Sequence, residues 1–400
     1  MPDQSTTMSA RAASSATEAD AGPRSARPLA RPLIGVRAPR RALGAVAAGL
    51  LLAACGAGTS TATSTATGSG PWGWSGDATS GYQPSNEPDV NQDGQVVVGI
   101  LSPGDTSDHG YYESFVDAAK QYATSNGWKV ITVDKVNPAD AVTQARNLCR
   151  QKVDMVAVAA SQLKDAIPVA QEDVCRNTVW YVAGGQGVTQ NAYFTQSQDV
   201  SSESGYASGV AAGELLAASG KTKAGFVTGP EADFTTSFAR AWYAGIKSVD
   251  PSATVAVTYT GDFDDSTKAI EAMKAQESQG IGLVYPYLGG ATDAVTAEAN
   301  RAGIPAMTPG TDRCGGGTPT YAVSVIFSPG DYFAAALAPF KAGTLKVGTA
   351  RVWHMGKDPV PAVKICTPTG DQQARVDAVE KQIGDGSLKP DQAAAAVTLP

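Results

Sequence analysis

From residue 96 onward, segments with the hydrophobic pattern of a β-strand alternate with segments that have the pattern of an amphipathic helix. Short runs rich in β-branched residues have the character of buried strands. Between them, apolar residues recur at the spacing of one helix face. The first unit is the clearest, because the run 96–101 and a turn-rich loop precede Phe115, Ala118, Ala119 and Tyr122 at positions i, i+3, i+4 and i+7. This pattern predicts a strand–loop–helix unit that opens a parallel α/β sheet.

The same alternation continues along the chain in two series. The first series predicts four strands with three helices between them, at 96–101, 112–125, 129–133, 138–151, 155–159, 163–174 and 178–182. After a short strand at 193–195, the second series alternates helices with strands, at 204–218, 224–227, 234–249, 254–259, 266–278, 281–285, 292–302 and 304–307. Such β-α-β crossovers are right-handed and form parallel sheets. We therefore predict an α/β protein of two Rossmann-like lobes joined by a hinge.

This organisation predicts six segments of the chain. They are a signal peptide at 1–54, a lipidated cysteine with a flexible Thr/Ser/Gly-rich tether at 55–95, an N-terminal lobe at 96–192, a C-terminal lobe at 193–310, a hinge crossover with closing elements at 311–385 and a tail at 386–400. The closing elements comprise strands at 321–326, 350–355 and 360–365 and a helix at 332–341, and we expect them to return to the N-terminal lobe.

The N-terminal segment has the features of an export signal. Basic residues at positions 37, 40 and 41 precede an apolar run at 42–54, which is too short to span a bilayer. The run ends in L-A-A-C-G at 52–56, which resembles a bacterial lipobox. In such signals the cysteine is lipidated and becomes the N-terminus, so we predict that Cys55 anchors the protein to the outer face of the cell membrane. The alternative is an ordinary secretory signal with a chance cysteine.

Charge and composition narrow the possible partners. The apolar fraction of 42% and the charged fraction of 17% are those of a globular protein. Without residues 1–54, the chain retains 24 basic and 35 acidic residues, a net charge of −11. This balance argues against nucleic-acid binding, which needs a basic surface. We predict a monomer that contacts the membrane only through its lipid anchor.

The loop after the first strand is the first candidate for a binding site. Small ligands of open α/β sheets bind beyond the carboxyl ends of the strands. This loop lies there and carries Asp108, His109 and Tyr111. We predict that it forms one wall of a ligand-binding cleft.

Four short segments resemble motifs of one family. E-S-G-Y-A-S-G-V-A-A at 203–212 looks like the E-x-x-Y-L-A-G-x-x-A-A helix of the basic membrane protein (BMP/PnrA-like) lipoproteins. Y-T-G-D-F-D-D at 259–265 resembles their Y-x-G-S-F-x-D turn, L-G-G-A at 288–291 resembles a G-G-x-G segment, and Ser324-Val325 resembles the S-V of a late strand. The chain also departs from the family, because D-H-G-Y-Y replaces a D-x-S-F-N loop and Phe327 replaces a common lysine.

The resemblance implies a type I periplasmic-binding-protein fold and a role in ABC import. Proteins of this family bind nucleosides, mostly purine, by stacking the base between two aromatic rings and holding the ribose with carboxylates. It implies that Tyr111 and Phe263 stack on the base. Asp108 matches the acid of the family's first loop, and Asp312 matches the acid of its G-x-D segment. Asp265 and His109 are further candidate ligand contacts. For Asp108 and Asp265 the alternative is helix capping, because both precede helices.

Three other functions are alternatives to nucleoside import. A sugar or polyol is the alternative ligand, since ribose-type receptors share the two-lobe plan. A ligand-sensing lipoprotein is a further possibility. An enzyme is not expected, because the sequence has no G-x-S-x-G, G-x-x-x-x-G-K-[ST] or H-E-x-x-H motif. The acids at 262, 264 and 265 look like a helix start rather than a glycosidase carboxylate set. The glycine-rich turn at 184–187 lacks the third glycine of a G-x-G-x-x-G dinucleotide-binding motif and opens no predicted helix.

Neither a cofactor nor a metal site is predicted. D-V-N-Q-D-G at 89–94 begins like a calcium loop, but its twelfth position is Ile100, so we expect a turn. The four cysteines beyond Cys55 lie in an exported protein, where disulfides persist. Sequence alone permits three pairings. From their places in the two series we predict Cys149–Cys175 and Cys314–Cys366.

Overall fold

A computed structural model describes residues 87–185 and 187–400 of the chain. The predicted signal peptide, Cys55 and most of the tether lie outside these residues. Two sets of parallel strands with flanking helices form the two lobes. Both lobes belong to one compact unit.

The first lobe is built on a six-stranded parallel sheet. Its spatial order is β11-β5-β4-β3-β1-β2. The strands are β1 (Val97–Leu101), β2 (Lys129–Val133), β3 (Met155–Val158), β4 (Val179–Ala183), β5 (Thr195–Asp199) and β11 (Ala350–Trp353). Helices α1 (Tyr111–Asn126) and α7 (Pro329–Lys341) pack on one face of this sheet, where the rings of Phe115 and Phe333 stack at 4.3 Å. Helix α2 (Ala141–Arg150) packs on the opposite face.

Two three-stranded sheets form the second lobe. One has the order β7-β6-β8 and the other β12-β10-β9, and a bridge between Val284 and Ala306 joins them. The strands are β6 (Lys223–Thr228), β7 (Thr254–Tyr259), β8 (Leu283–Tyr287), β9 (Met307–Gly310), β10 (Val323–Ile326) and β12 (Ala362–Ile365). Only the β10–β12 pair is antiparallel among these described strands.

Helices cover both faces of the second lobe as well. One face holds α3 (Ser201–Ser219), α4 (Asp233–Val249) and α8 (Gln372–Asp385). The other face holds α5 (Ser266–Ser278) and α6 (Thr292–Arg301). None of the helices within 87–185 and 187–400 has both the length and the apolar character needed to cross a bilayer.

Three crossings connect the lobes and form the hinge. They are β5 to α3, β10 to α7 and β11 to β12. This differs from the prediction in two places. Strand β5 belongs to the first sheet rather than to the second lobe, and β10 and β12 stay in the second lobe while only α7 and β11 return to the first. The reason is pairing: β10 lies parallel to β9, and β5 is held between β4 and β11.

Two further segments differ from the prediction. Residues Ser161–Gln171 form 3₁₀ turns with a kink at Leu163 instead of an α-helix, and Pro168 lies inside them. Proline has no N–H to donate, so Pro168 removes one hydrogen bond that a regular α-helix would need in this segment. The tail at 386–400 contains a short helix, α9 (Pro390–Ala395), and Val397 and Leu399 pack on the core beside it.

The structure contains both predicted disulfides. Cys149 and Cys175 are joined with a Cα–Cα distance of 5.1 Å, and Cys314 and Cys366 with 4.9 Å. The segment at 89–94 is a turn, in which the Asp89 carboxylate accepts hydrogen bonds from the N–H groups of Asp93 and Gly94.

Candidate ligand-binding site

A cavity of about 410 Å³ lies between the lobes. Residues at the carboxyl ends of strands from both sheets line it, which is where open α/β sheets bind ligands. The lining includes Ser161, Gly184, Asp199, Phe263, Tyr287, Pro309 and Phe327, which follow or end strands β3, β4, β5, β7, β8, β9 and β10. Its volume falls within the range of about 300–1,000 Å³ that is usual for small-molecule sites.

Aromatic side chains make up much of the cavity wall. Seven contribute: Tyr111, Tyr112, Phe234, Phe238, Phe263, Tyr287 and Phe327. Tyr111 comes from the first lobe, and its ring lies 6.2 Å from that of Phe327 at an interplanar angle of 49°. Phe263 comes from the second lobe and stacks on Phe234 at 6.0 Å. The structure thus brings Tyr111 and Phe263 into one lining from opposite lobes.

Backbone contacts hold Phe263 in place. Its carbonyl accepts hydrogen bonds from the N–H groups of Gly289 and Ala291, at 3.1 and 3.2 Å. The adjacent Asp264 carboxylate accepts one from Gly290 N–H at 2.6 Å. A Cβ at Gly289 would lie 2.7 Å from Asp264 Oδ1, so a larger residue there would displace the Asp264 carboxylate. The two family-like segments at 259–265 and 288–291 therefore form one unit that presents Phe263 to the cavity.

The predicted aspartates 108 and 265 do not line the cavity. Asp108 is 7% exposed and accepts hydrogen bonds from the N–H groups of Gly110, Tyr112 and Glu113 at the start of α1. Burial raises its pKa despite these bonds. Asp265 caps α5 by accepting from Thr267 and Lys268, and those bonds lower its pKa. Both carboxylates therefore cap helices, which is the alternative role for these two residues.

His109 and Asp312 also lie outside the lining. His109 has a left-handed backbone with φ of 52°, and its side chain reaches Asp293 of the second lobe. Asp312 pairs with Lys364 at 2.7 Å and accepts from Cys314 N–H. Burial would raise the pKa of Asp312, but these partners together lower it. Of the six predicted ligand contacts, the cavity lining contains Tyr111 and Phe263.

The charged groups of the lining are both acidic. They are Asp199, at the end of β5, and Asp391, which is exposed on α9. Desolvation in the cleft raises the pKa of Asp199 to about 6. Over the described residues, Lys, Arg and His are missing from the lining. The cavity therefore presents carboxylate acceptors and aromatic faces and no cationic partner for an anionic ligand.

Amide and hydroxyl groups complete the polar surface. Gln162, Gln198, Ser201, Ser202 and Ser237 line the cavity. The Oγ of Ser202 is buried and has no hydrogen-bond partner within the described residues. Among the described residues, no three His, Cys, Asp or Glu side chains lie close enough together to bind a metal ion.

Sequence reasoning missed Asp199 and Tyr287 as residues of the cavity lining. Tyr287 and Phe327 could have been found, because both stand directly at the carboxyl end of a predicted strand. Asp199 could not, since β5 reads T-Q-S-Q-D and lacks the apolar residues that mark a strand.

Two α/β lobes with a cavity between them form the type I periplasmic-binding-protein fold. Residues 95–385 match the PnrA-like family of ABC transporter substrate-binding proteins, and the chain belongs to that family. This family is extracytoplasmic and consists of binding proteins rather than enzymes, as predicted.

The individual relatives share 24–34% sequence identity with this chain and match only part of its length. A CD4+ T-cell-stimulating antigen of Listeria monocytogenes is 24% identical over 51% of this chain and 57% of its own length. The ABC transporter nucleoside-binding protein BmpA of Lactococcus lactis is 34% identical over 26% of this chain and 29% of its own. The chain thus spans little more than half of the first relative. A solute-binding protein structure from Conexibacter woesei aligns with a TM-score of 0.57 and 23% identity, over 74% of this chain and 98% of that one, which shows the fold.

Proposed function

We propose that the protein is the receptor of an ABC importer and carries a nucleoside, of the purine type, between its two lobes. The observation that carries this proposal is the pair Tyr111 and Phe263, which enter one cavity from opposite lobes. The name of the lactococcal relative, a nucleoside-binding protein, supports the same ligand class. The receptor would deliver its ligand to a membrane permease.

Aromatic walls suit a flat heterocycle. Stacking of a base on an aromatic ring contributes about 1–3 kcal/mol and depends little on which base it is. The ring also needs polar groups that fix its orientation, and Asp199, Gln162 and Gln198 supply acceptors and donors around the cavity. A ligand that contacts both lobes binds the closed arrangement more tightly and therefore drives hinge closure.

A ligand screen tests the class directly. We expect purine nucleosides to raise the unfolding midpoint of the purified protein, as any ligand that binds only the folded state does. Pentoses, hexoses and polyols serve as the comparison set. Stabilisation by sugars but by no nucleoside would replace nucleoside with the sugar alternative.

Two substitutions test the aromatic pair. Tyr111→Ala and Phe263→Ala should each weaken nucleoside affinity by about 5- to 100-fold, the loss of one stacking partner. Tyr193→Ala is the matched control, because Tyr193 is 37% exposed and lies outside the cavity lining. Unchanged affinity in both cavity variants would remove the stacking arrangement.

We also propose that Cys55 is lipidated and anchors the protein outside the cell membrane. The basis is the lipobox-like L-A-A-C-G segment after a short apolar run. The wild-type protein should remain in the membrane fraction, and Cys55→Ser should lose that association. Equal partitioning of both proteins would favour an ordinary secretory signal.

A further inference from the structure

The first and third crossings of the hinge run side by side. Strands β5 and β11 are parallel neighbours in the first sheet, and their last residues, Asp199 and Trp353, are register partners. The chain then enters the second lobe at both places, because α3 begins at Ser201 and Met355 is fully buried in the core of that lobe. The change from one lobe to the other at the third crossing is therefore confined to His354.

One carboxylate joins these two crossings. Glu203 lies in the first turn of α3. Its Oε1 lies 3.0 Å from Nδ1 of His354, and its Oε2 accepts a hydrogen bond from the N–H of Met355 at 2.9 Å. The Glu203 side chain is 13% exposed, so most of it is shielded from solvent. Glu203 thereby holds both the side chain of the crossing residue and the backbone that follows it.

A second carboxylate holds His354 from the turn beyond the crossing. Asp358 Oδ2 accepts a hydrogen bond from the N–H of His354 at 2.8 Å, and its Oδ1 accepts one from Nη2 of Arg351, also at 2.8 Å. Arg351 belongs to β11 of the first lobe. The turn that carries Asp358 packs on α8 of the second lobe, since a Cβ at Gly356 would lie 2.1 Å from the Glu380 carbonyl oxygen. The Arg351–Asp358 ion pair therefore spans the hinge.

The same arginine connects these groups to the second crossing. Its guanidinium carbon lies 3.4 Å from the centre of the Trp353 ring, a cation–π contact. The Trp353 ring in turn stacks on Tyr332 at 4.7 Å. Tyr332 belongs to α7, the helix that follows the second crossing. One chain of contacts thus reaches all three crossings.

We propose that Glu203, Arg351, His354 and Asp358 form a hinge brace, in which Glu203 is the positioning residue that restricts rotation of the two lobes. The lining of the described cavity includes none of the four, so the brace acts on ligand binding only through the hinge. Lobes that are restricted before binding lose less conformational freedom on binding, which raises affinity. This inference goes beyond the proposed function, because it holds for any ligand that contacts both lobes.

The distance between the lobes in the ligand-free protein tests the brace directly. Spin labels are attached at Lys120→Cys on α1 and Glu271→Cys on α5, both exposed positions. The full chain also carries Cys55→Ser, which leaves the introduced thiols as the reactive ones because the other four cysteines form disulfides. Pulsed electron paramagnetic resonance then gives the distribution of interlobe distances.

We expect Glu203→Leu to widen this distribution at least about 1.5-fold and to move its mean to longer distances, because leucine accepts no hydrogen bond. Glu203→Gln keeps one acceptor oxygen for the N–H of Met355 and should restore most of the wild-type distribution. His354→Ala removes the other partner of Glu203 and should widen the distribution as Glu203→Leu does. It also carries the test if Glu203→Leu does not fold.

Titration calorimetry with guanosine measures the consequence for binding. Glu203→Leu should weaken guanosine affinity about 3- to 20-fold without touching the ligand. The double variant Glu203→Leu/His354→Ala should bind about as well as either single variant, because the two residues act through one contact. Saturating guanosine should return the interlobe distance of each variant to the wild-type value.

Glu214→Leu is the matched control on the same helix. Glu214 pairs with Arg375 of α8 inside the second lobe. Its loss should lower the unfolding midpoint and leave both the interlobe distances and guanosine affinity unchanged. Equal distance changes in Glu203→Leu and Glu214→Leu would assign the effect to lost stability and overturn the inference.

A wild-type distance distribution in Glu203→Leu and His354→Ala would also overturn the hinge brace, whether or not guanosine binds. Absence of binding by every nucleoside would overturn the proposed function instead. The distances in the ligand-free protein would still decide the inference in that case, so the two failures are distinguishable.

Discussion

The imidazole Nδ1 of His109 lies 3.2 Å from Oδ2 of Asp293, and this contact joins the two lobes. His109 belongs to the loop before α1, whereas Asp293 lies in the first turn of α6. Arg313 and Tyr321 hold the Asp293 carboxylate from within the second lobe. Burial raises the pKa of Asp293, but Arg313, Tyr321 and His109 together lower it. His109 therefore meets an ionised, pre-positioned partner when the lobes close.

Loss of this contact should weaken ligand binding slightly. The His109 side chain is 64% exposed, and exposed ion pairs contribute about 0–1 kcal/mol. We therefore expect His109→Ala to lower nucleoside affinity two- to fivefold, measured by calorimetry. Lys135→Ala is the control, because Lys135 pairs with Asp105 within the first lobe and should leave affinity unchanged. Equal affinities for wild type and His109→Ala would show that the contact does not favour closure.

Asp199 should make the free protein less stable as pH rises. Its folded pKa of about 6 exceeds the ordinary value of 3.8, so the folded state binds the proton more tightly than the unfolded state. The stabilisation from that proton is present below the ordinary value and is lost between pH 4 and pH 6. Asp199→Asn should therefore raise the free energy of unfolding by up to about 3 kcal/mol at pH 8 and by little at pH 4. Urea unfolding of both proteins at the two pH values measures this difference.

Nucleoside affinity should fall in acid. If binding requires the ionised carboxylate, affinity stays constant above pH 7 and decreases about tenfold per pH unit once the pH is below the pKa of about 6. The tyrosines around Asp199 have raised pKa values and stay neutral throughout this range. Calorimetry from pH 4.5 to pH 8 tests this, with Asp199→Asn as the comparison protein. A flat profile in wild type would separate Asp199 from ligand binding.

The architecture could be predicted because it depends on local pattern. Buried strands such as β1 and β8 are nearly all apolar, and their alternation with helices specifies two parallel lobes. The cysteine pairs followed from their places in those series. The sequence did not predict which lobe each late strand joins. That depends on pairing between segments far apart in the chain, such as β5 and β11.

The site was harder to predict for a physical reason. An aspartate before a helix has the same sequence context whether it caps the helix or binds a ligand. In the structure, Asp108 and Asp265 both accept hydrogen bonds from backbone N–H groups at helix starts. The two predicted aromatic contacts, Tyr111 and Phe263, followed from the family resemblance, and both line the cavity. Asp199 ends a strand whose buried residues are polar, Thr195, Gln196 and Ser197, so its position depended on backbone pairing alone.

The Cys149–Cys175 disulfide should contribute measurably to stability. It closes a loop with a sequence separation of 26 residues, for which the chain-entropy relation gives about 3–4 kcal/mol. The double variant Cys149→Ser/Cys175→Ser should lose roughly this free energy of unfolding in urea, while ligand affinity stays the same because neither residue lines the cavity between the lobes. Wild type under the same non-reducing conditions provides the matched comparison, because the Cys314–Cys366 disulfide is then intact in both proteins. A loss of affinity without a loss of stability would contradict this assignment.

Gly209 explains why the segment at 203–212 resembles a family motif although most of it is remote from the ligand. A Cβ at Gly209 would lie 2.0 Å from the Trp242 carbonyl oxygen, and one at Gly245 would lie 2.1 Å from the Tyr206 carbonyl oxygen. Helices α3 and α4 therefore touch backbone to backbone, and Gly209→Ala should force them apart at a cost of about 1–3 kcal/mol in unfolding free energy. Ala218→Ser adds one atom to an exposed position of α3 and should cost less than about 0.5 kcal/mol. Urea unfolding measures both variants, and equal stabilities would mean that the helices are farther apart than this structure places them.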